Sequence, residues 1–213
     1  MRRARHFSWP AVVVFLALFA AAAPAAELLN QLGIPVMWGS YNVPFNEGDD
    51  RWVADDFTPG LDCTIEEFAC QFIRDGGTAT ARADLHLRIY TGGLSGEPVW
   101  EVTVPADELE FSTTGDLYSA QRVYRVNAKL RPGDHFNAYA GTTYWVAWRL
   151  NDEPDCRNLT VNNGGSAGSR AWRYADEQWD EIGVDADAAF YLGGAQPGSV
   201  YATSFGYIKA AFR

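Results

Sequence analysis

The sequence predicts an all-β protein, and more narrowly an antiparallel β-sandwich of jelly-roll type. Apolar side chains recur at every second position along most of the chain, which is the period of a half-buried strand and not that of a helix. Glycine pairs and Pro-Gly steps separate these segments at the spacing of turns. Because alternating strands leave one apolar face uncovered, a second sheet must cover it, and we expect a two-layer sandwich.

The alternation is clearest over residues 84–90, where leucine and isoleucine side chains alternate with His86, Arg88 and Tyr90. Residues 144–150 alternate in the same way, so both segments are predicted strands with one face in the core. Three further segments are rich in valine, aromatic or alternating residues and are also predicted strands: 64–73, 98–104 and 122–127. We expect about nine short strands. Only residues 105–110 favour a short helical turn.

The first 26 residues have the pattern of an export signal. Arg2, Arg3 and Arg5 precede an uncharged apolar run over residues 12–23, and small residues follow at 23–26. A membrane anchor is the alternative, but the wider apolar segment over residues 7–26 is alanine-rich and contains Pro10, so it falls short of the roughly 20 strongly apolar residues that a membrane span needs. We therefore expect a signal peptide over 1–26, a sandwich domain over 27–195, and an edge strand or tail over 196–213. The protein is expected to be secreted, periplasmic or at the cell surface.

Composition excludes several classes of protein. Of the 213 residues, 47% are hydrophobic and 21% are charged, which excludes a disordered or coiled-coil chain. Without residues 1–26, the chain keeps 14 basic and 27 acidic side chains, a formal charge of −13 (14 − 27). Such a chain is a poor partner for nucleic acid or an anionic membrane. No second apolar segment is long enough to span a membrane after signal cleavage.

Several short motifs, in their order along the chain, resemble an exported bacterial β-sandwich domain. The motifs are Ala54–Phe57, Leu87–Tyr90, Thr142–Val146 and Asp187–Leu192, with Trp172 and Trp179 ahead of the last. The resemblance covers roughly residues 38–194. It implies the fold and export, and it links the chain to extracellular domains of mostly unassigned function that are similar to non-catalytic carbohydrate-binding modules.

An exported chain enters an oxidising compartment, where its three cysteines are able to form disulfides. Because their number is odd, at least one cysteine has no partner within the chain. Cys70 is in phase with Phe68 and Phe72, which predicts an inward thiol that packs as a small hydrophobe. Cys63 begins the same predicted strand, and we expect it to form a disulfide with Cys156 in the loop over residues 151–158. A Cys63–Cys70 bridge across a turn is the alternative.

Acidic residues cluster near the first and last strands of the predicted sandwich. Asp55 and Asp56 lie in an early strand, while Asp185 and Asp187 precede the last one. Since the first and last strands of many jelly-roll sandwiches are neighbours, these carboxylates are candidate ligands of a structural calcium ion, which prefers six to eight oxygen ligands. The alternative is solvated acid, or carboxylates that accept hydrogen bonds from backbone amides.

Aromatic residues supply the candidate binding site. Trp172, Tyr174 and Trp179 flank a predicted hairpin turn over residues 175–178. Exposed flat rings stack on sugar faces, and neighbouring polar side chains hydrogen-bond hydroxyl groups. The alternative is that Trp172 and Trp179 pack into the core. The remaining tryptophans are interpreted as mainly structural: Trp38, Trp52, Trp100, Trp145 and Trp148.

No motif indicates catalysis. Residues 164–168 have the spacing Gly-x-Ser-x-Gly, but they belong to a small-residue loop and not to the strand-to-helix turn of a nucleophile elbow. His86 and His135 lie in unrelated segments. Adjacent acids such as Asp55 and Asp56 point to opposite faces of a strand and do not form an acid–base pair. We therefore expect a secreted, non-catalytic module that is a structural or protein-interaction component of the cell envelope. The alternative is a carbohydrate-binding module with structural calcium, and a glycan-active enzyme is a weaker candidate.

Overall fold

The computed structural model describes residues 25–32, 43–44, 51–74, 83–118, 120–150, 156–158, 160–161, 171–175, 177–182 and 187–196. These residues form an eight-stranded sheet, here called the large sheet, a six-stranded sheet, here called the small sheet, and a separate two-stranded pair. Every strand pairing is antiparallel, for example between β10 (Tyr144–Leu150) and β3 (Trp52–Phe57). The predicted all-β antiparallel sandwich is confirmed.

The strands up to residue 118 are β1 Ala26–Asn30, β2 Val43–Pro44, β3 Trp52–Phe57, β4 Cys63–Arg74, β5 Leu85–Thr91, β6 Trp100–Val104 and β7 Leu109–Tyr118. They continue with β8 Gln121–Lys129, β9 Phe136–Ala138, β10 Tyr144–Leu150, β11 Cys156–Asn158, β12 Thr160–Val161, β13 Trp172–Ala175, β14 Gln178–Glu181, β15 Asp187–Ala188 and β16 Phe190–Ala195. Two single-turn 3-10 helices lie at Ala106–Glu108 and Pro132–Asp134.

The long strand β4 organises the large sheet. One of its edges pairs with β16 and β11, and the other pairs with β8 and β9. β1 extends the sheet beyond β16, so the first and last of the described strands are neighbours. The strand that carries Asp55 and Asp56, β3, lies instead in the small sheet. The small sheet has the order β14-β13-β3-β10-β5-β6.

The core lies between the two sheets and follows the alternation predicted from the sequence. Leu85, Leu87 and Ile89 on β5 are all buried and face side chains of the large sheet. The indole of Trp148 is fully buried, and its centroid lies 5.3 Å from the rings of both Phe68 and Phe190. The aromatic rings of both layers therefore interdigitate at the centre of the sandwich.

The strands at 144–150, 85–91 and 63–74 match their predicted positions to within one residue at each end. The structure also contains β7, which the sequence reasoning missed. Among the described strands its one partner is β8, and its register shifts between Thr113 and Leu117. Gly115, at φ 89°, lies within the shift. An irregular edge strand with exposed side chains gives no sustained alternation, which is why the pattern did not reveal it.

The structure corrects the predicted disulfide. Cys63 is buried and has a free thiol. Its strand neighbour is Ala138, whereas Cys156 lies beside Arg74 at the opposite end of β4. Eleven residues of regular strand span about 36 Å, and the two Cα atoms of a disulfide lie within about 7 Å of each other. The predicted Cys63–Cys156 bridge is therefore wrong. The alternative, a turn joining Cys63 to Cys70, is also wrong because both lie in one continuous strand.

Cys70 is fully buried in the main core, as predicted for an inward thiol. The predicted signal peptide lies outside the described residues except for its last two, and the predicted tail lies outside them except for Gln196. Within the described part of the chain, no helix has the length and apolarity needed to cross a membrane.

Candidate functional site

The outer face of the small sheet carries a second cluster of buried residues, separate from the main core. Strand alternation explains it, because Val53, Asp55 and Phe57 of β3 point inward while Trp52 and Ala54 point outward. The cluster comprises Trp52, Ala54, Tyr90, Leu94 and Ala147. A solvent-facing sheet surface would ordinarily be polar, so this apolar layer is the feature that defines the site.

Two alanines form the floor of this layer. Ala54 and Ala147 are directly paired across β3 and β10, and both are fully buried. Trp172 is paired with Ala54 on the next strand, and Arg88 is paired with Ala147 on the other side. Because a methyl group rises little above the sheet, longer side chains from the neighbouring strands fold over the alanine pair and bury it.

The β13–β14 hairpin carries the rings that cover this floor. Tyr174 and Trp179 are cross-strand partners, and their ring centroids lie 5.3 Å apart. Trp172 meets Trp145 of β10 edge to face, with centroids 6.1 Å apart. The turn between the strands includes Glu177 at φ 63°. The predicted hairpin is confirmed, and Trp172, Tyr174 and Trp179 belong to one aromatic surface.

A groove with a volume of about 1190 Å³ opens over this surface, between the hairpin and the loop over residues 92–99. We call it the aromatic groove. It is lined by Trp52, Arg88, Tyr90, Gly93, Leu94, Ser95, Gly96, Glu97, Pro98, Val99, Trp100, Glu101, Trp145, Trp172, Tyr174, Glu177, Gln178 and Trp179. Gly93 and Gly96 adopt positive φ values of 123° and 115°, which are backbone conformations that shape this wall and favour glycine.

All three predicted ligand-binding residues line the aromatic groove, and their side chains are half-buried. They pack against the outer cluster and not in the core between the sheets, which was the alternative. Two tryptophans that were interpreted from the sequence as mainly structural, Trp145 and Trp52, also line the groove. Trp145 is half-buried, and Trp52 is buried beneath the surface. Trp148 is a core residue as expected, and Trp38 lies outside the described residues.

The polar groups of the groove centre on Arg88. Its guanidinium carbon lies 4.2 Å from the centroid of the Trp52 ring, and its Nε lies 3.4 Å from Oε2 of Glu101. Arg149 also lies over the Trp52 ring, at 4.8 Å. These cation–π contacts hold the indole and the guanidinium of Arg88 in fixed positions. The groove thus joins flat apolar surfaces to hydrogen-bonding groups, the combination that recognises polyhydroxyl ligands.

The predicted acidic site is partly assembled. Asp55 is buried and points into the sandwich; its Oδ2 accepts a hydrogen bond of 2.8 Å from the Ala188 amide, and its Oδ1 accepts one of 2.8 Å from the Asp56 amide. Burial raises the pKa of the Asp55 carboxyl well above its ordinary value, and the charges of Asp187 and Asp56 add to this effect. Asp55 therefore ties β15 to β3 through backbone amides, as in the alternative interpretation.

Calcium binding remains a prediction. Asp55 and Asp187 lie close enough to interact electrostatically, as expected from the sequence, while Asp185 lies outside the described residues. Within the described ranges, no group of three or more His, Cys, Asp or Glu side chains is arranged to hold a metal ion. Both oxygens of Asp55 already accept amide hydrogens.

Comparison with known proteins identifies no family. No protein-family model and no curated protein matches the chain. Among solved structures, the chain is similar to the D1–D2–D3 domains of the flagellar cap protein FliD from Escherichia coli, with 12% identity and a TM-score of 0.19. The match covers 75% of this chain and 50% of the flagellar cap chain. The site must therefore be interpreted from its own geometry.

Proposed function

We propose that this chain is an exported, non-catalytic carbohydrate-binding module whose ligand lies in the aromatic groove. The observation that supports this proposal is the set of half-buried rings of Trp145, Trp172, Tyr174 and Trp179 along one open groove. Rings that are fixed by their neighbours and partly exposed offer stacking surfaces at little cost in conformational entropy.

The size of the groove favours an oligosaccharide. Its volume of about 1190 Å³ exceeds the range of roughly 300–1,000 Å³ that is typical of small-ligand sites. Several rings line it, and a ligand made of several sugar units offers a separate face to each of them. Gln178 and the groove carboxylates Glu97 and Glu177 supply hydrogen-bonding groups for the hydroxyls.

Export completes the proposal. The basic and apolar opening of the sequence predicts a secreted, periplasmic or surface location, where glycans are available. In this proposal, calcium has a structural role near Asp55 and Asp187 and does not contact the glycan.

A second candidate function is a protein-interaction component of the cell envelope, and one observation favours it. Leu61 and Tyr139 are 60% and 63% exposed. Their loops are joined by a hydrogen bond of 2.8 Å from the Ala140 amide to Asp62 and one of 2.9 Å from the Gly141 amide to Pro59. Two large apolar side chains on adjoining loops offer a small contact surface for a protein partner.

Glycan-array binding separates the two candidates. The purified protein is screened with calcium and again with chelator, together with Trp179→Ala and Tyr139→Ala. We expect Trp179→Ala to weaken the strongest glycan signal about tenfold, because an aromatic stacking contact contributes on the order of 1 kcal/mol. Tyr139→Ala is the matched control and should bind glycan like the parent protein.

Circular dichroism confirms that each variant is folded. A parent protein that binds no glycan with or without calcium contradicts the carbohydrate proposal. A glycan signal that Tyr139→Ala abolishes and Trp179→Ala keeps contradicts the assignment of the groove.

A further inference from the structure

The charges that line the aromatic groove are unbalanced. Among the described residues that line it, Arg88 is the one cation, whereas Glu97, Glu101 and Glu177 are acids, a formal charge of −2 (1 − 3). The Arg88 guanidinium is already engaged by the Trp52 ring and by Glu101. The Arg88 guanidinium is therefore already paired within the protein, which weakens its attraction for an acidic ligand.

The two other acids face the groove from its two walls. Glu97 lies in the loop that follows β5, and Glu177 lies in the turn of the β13–β14 hairpin; both are exposed. The edge-to-face contact between Tyr90 and Trp179, at 6.3 Å, joins the base of this loop to the base of this turn. A ligand over the rings thus lies between two carboxylates on separate elements.

The rings themselves favour a cation. A positively charged group within about 6 Å of an indole or phenol face is attracted by the ring quadrupole, most strongly for tryptophan. Trp52 already shows this behaviour, since the guanidinium groups of Arg88 and Arg149 lie over its ring. Trp145, Trp172, Tyr174 and Trp179 are the half-buried rings of the same surface.

On the basis of the proposed function, we infer that the aromatic groove selects glycans whose sugars carry free amino groups. Sugar rings stack on the tryptophans, and the ammonium groups interact with the ring faces and with Glu97 and Glu177. Uronic acid glycans are rejected, because their carboxylates meet like charges and find no free cation in the groove.

The test compares three oligosaccharides of equal length by titration calorimetry: a glucosamine tetramer, its fully N-acetylated form, and a galacturonate tetramer. The first two share the same sugar backbone, and acetylation replaces the ammonium group by a larger, neutral amide. The carboxylate variants below separate the effect of charge from that of size. We expect the glucosamine tetramer to bind about five- to tenfold more tightly than the acetylated form, and the galacturonate tetramer to bind most weakly. Raising the salt concentration should reduce this preference.

Glu97→Gln combined with Glu177→Gln should lower the ratio of the two dissociation constants, because only the attraction by the ring faces then remains. Asp107→Asn combined with Glu110→Gln removes the same charge from exposed positions outside the groove and should keep the parent ratio. Equal affinity of the parent protein for both glucosamine forms, or tightest binding of galacturonate, overturns the inference and leaves the proposed function standing. Failure of the parent protein to bind any tetramer or any array glycan overturns both.

Discussion

The side chains of Tyr90 and Trp179 meet edge to face with ring centroids 6.3 Å apart, although β10, β3 and β13 lie between their strands in the sheet. Four strand spacings in a flat sheet span about 19 Å. The hairpin that carries Trp179 must therefore bend back over the outer face of the small sheet. This closure gives the aromatic groove its walls, and it makes the groove depend on how well the alanine floor beneath the rings is packed.

Enlarging the groove floor should damage the site. Ala147→Leu adds bulk at a fully buried position under the rings, and overpacking of this kind costs about 1–3 kcal/mol in the free energy of unfolding. We also expect glycan binding to be lost, because the rings are displaced. Ala69→Leu is the matched control, since Ala69 is equally buried but lies on the large sheet. Urea unfolding and glycan titration measure the two effects. Parent-like glycan affinity in Ala147→Leu would contradict the claim that the alanine floor positions the rings.

Asp55 should make stability depend on pH. Because burial raises its pKa in the fold, the folded state binds this proton more tightly than the unfolded chain, whose value is about 4. The free energy of unfolding then falls as pH rises from about 4 through the folded-state pKa. Asp55→Asn should remove this contribution to the slope of the free energy of unfolding against pH. Asp107→Asn, at an exposed position, should leave the slope unchanged. Urea unfolding at a series of pH values gives the slope, and an unchanged slope in Asp55→Asn refutes the assignment.

Removing the Asp55 carboxylate altogether should have a different effect. Asp55→Ala leaves the amides of Asp56 and Ala188 without their acceptor, at a cost of about 1–3 kcal/mol for each buried group. We expect a lower melting temperature at neutral pH and faster hydrogen exchange of the Ala188 amide. Exchange at Ala188 as slow as in the parent protein would show that this hydrogen bond contributes little.

Gly193 and Gly194 form a matched pair for testing the junction of β16 and β4. A Cβ at Gly194 would lie 1.8 Å from the Thr64 carbonyl oxygen, so Gly194→Ala forces the two backbones apart. At Gly193 the nearest atoms, at 2.8 and 2.9 Å, belong to the Tyr191 side chain, which is able to move aside. We expect Gly194→Ala to cost about 1–3 kcal/mol and Gly193→Ala distinctly less. Thermal melting of the two variants measures the two losses of stability. A larger loss in Gly193→Ala than in Gly194→Ala would contradict the pairing of β16 with β4 described above.

Cys63 should react only in the unfolded protein. Its thiol is free and buried, and burial, together with the charge of Asp62, raises the pKa of this thiol. Both effects slow alkylation, since the thiolate is the reactive form. Mass spectrometry after iodoacetamide treatment, with and without guanidinium, measures the difference. Rapid labelling of Cys63 in the native protein, or a peptide cross-linked to Cys156, would be the contrary result.

The sequence predicted the sandwich well because the core strands alternate without interruption, as Leu85, Leu87 and Ile89 show. The candidate ligand residues Trp172, Tyr174 and Trp179 followed from one local hairpin. Arg88 and Trp145 were missed as groove residues because their role depends on a non-local register that joins four strands. A signal was nevertheless available: both lie on the solvent-facing phase of strands whose alternation was recognised.

The disulfide prediction failed for a related reason. Distance along the chain does not tell which end of a long strand a later segment will join, and Cys156 joined the end far from Cys63. Pairing between distant segments is fixed by the whole sheet and not by the loop that carries the cysteine.

The pairing of Ala26 with Gly194 places the start of β1 beside the end of β16. Whatever polypeptide precedes the one or follows the other leaves from a single corner of the large sheet, on the layer opposite the groove. A tether joined directly to Ala26 or Ala195 would hold the molecule by the large sheet, so that the rings point away from the support. Attachment at either of these two residues is accordingly the orientation of choice for binding measurements on this protein.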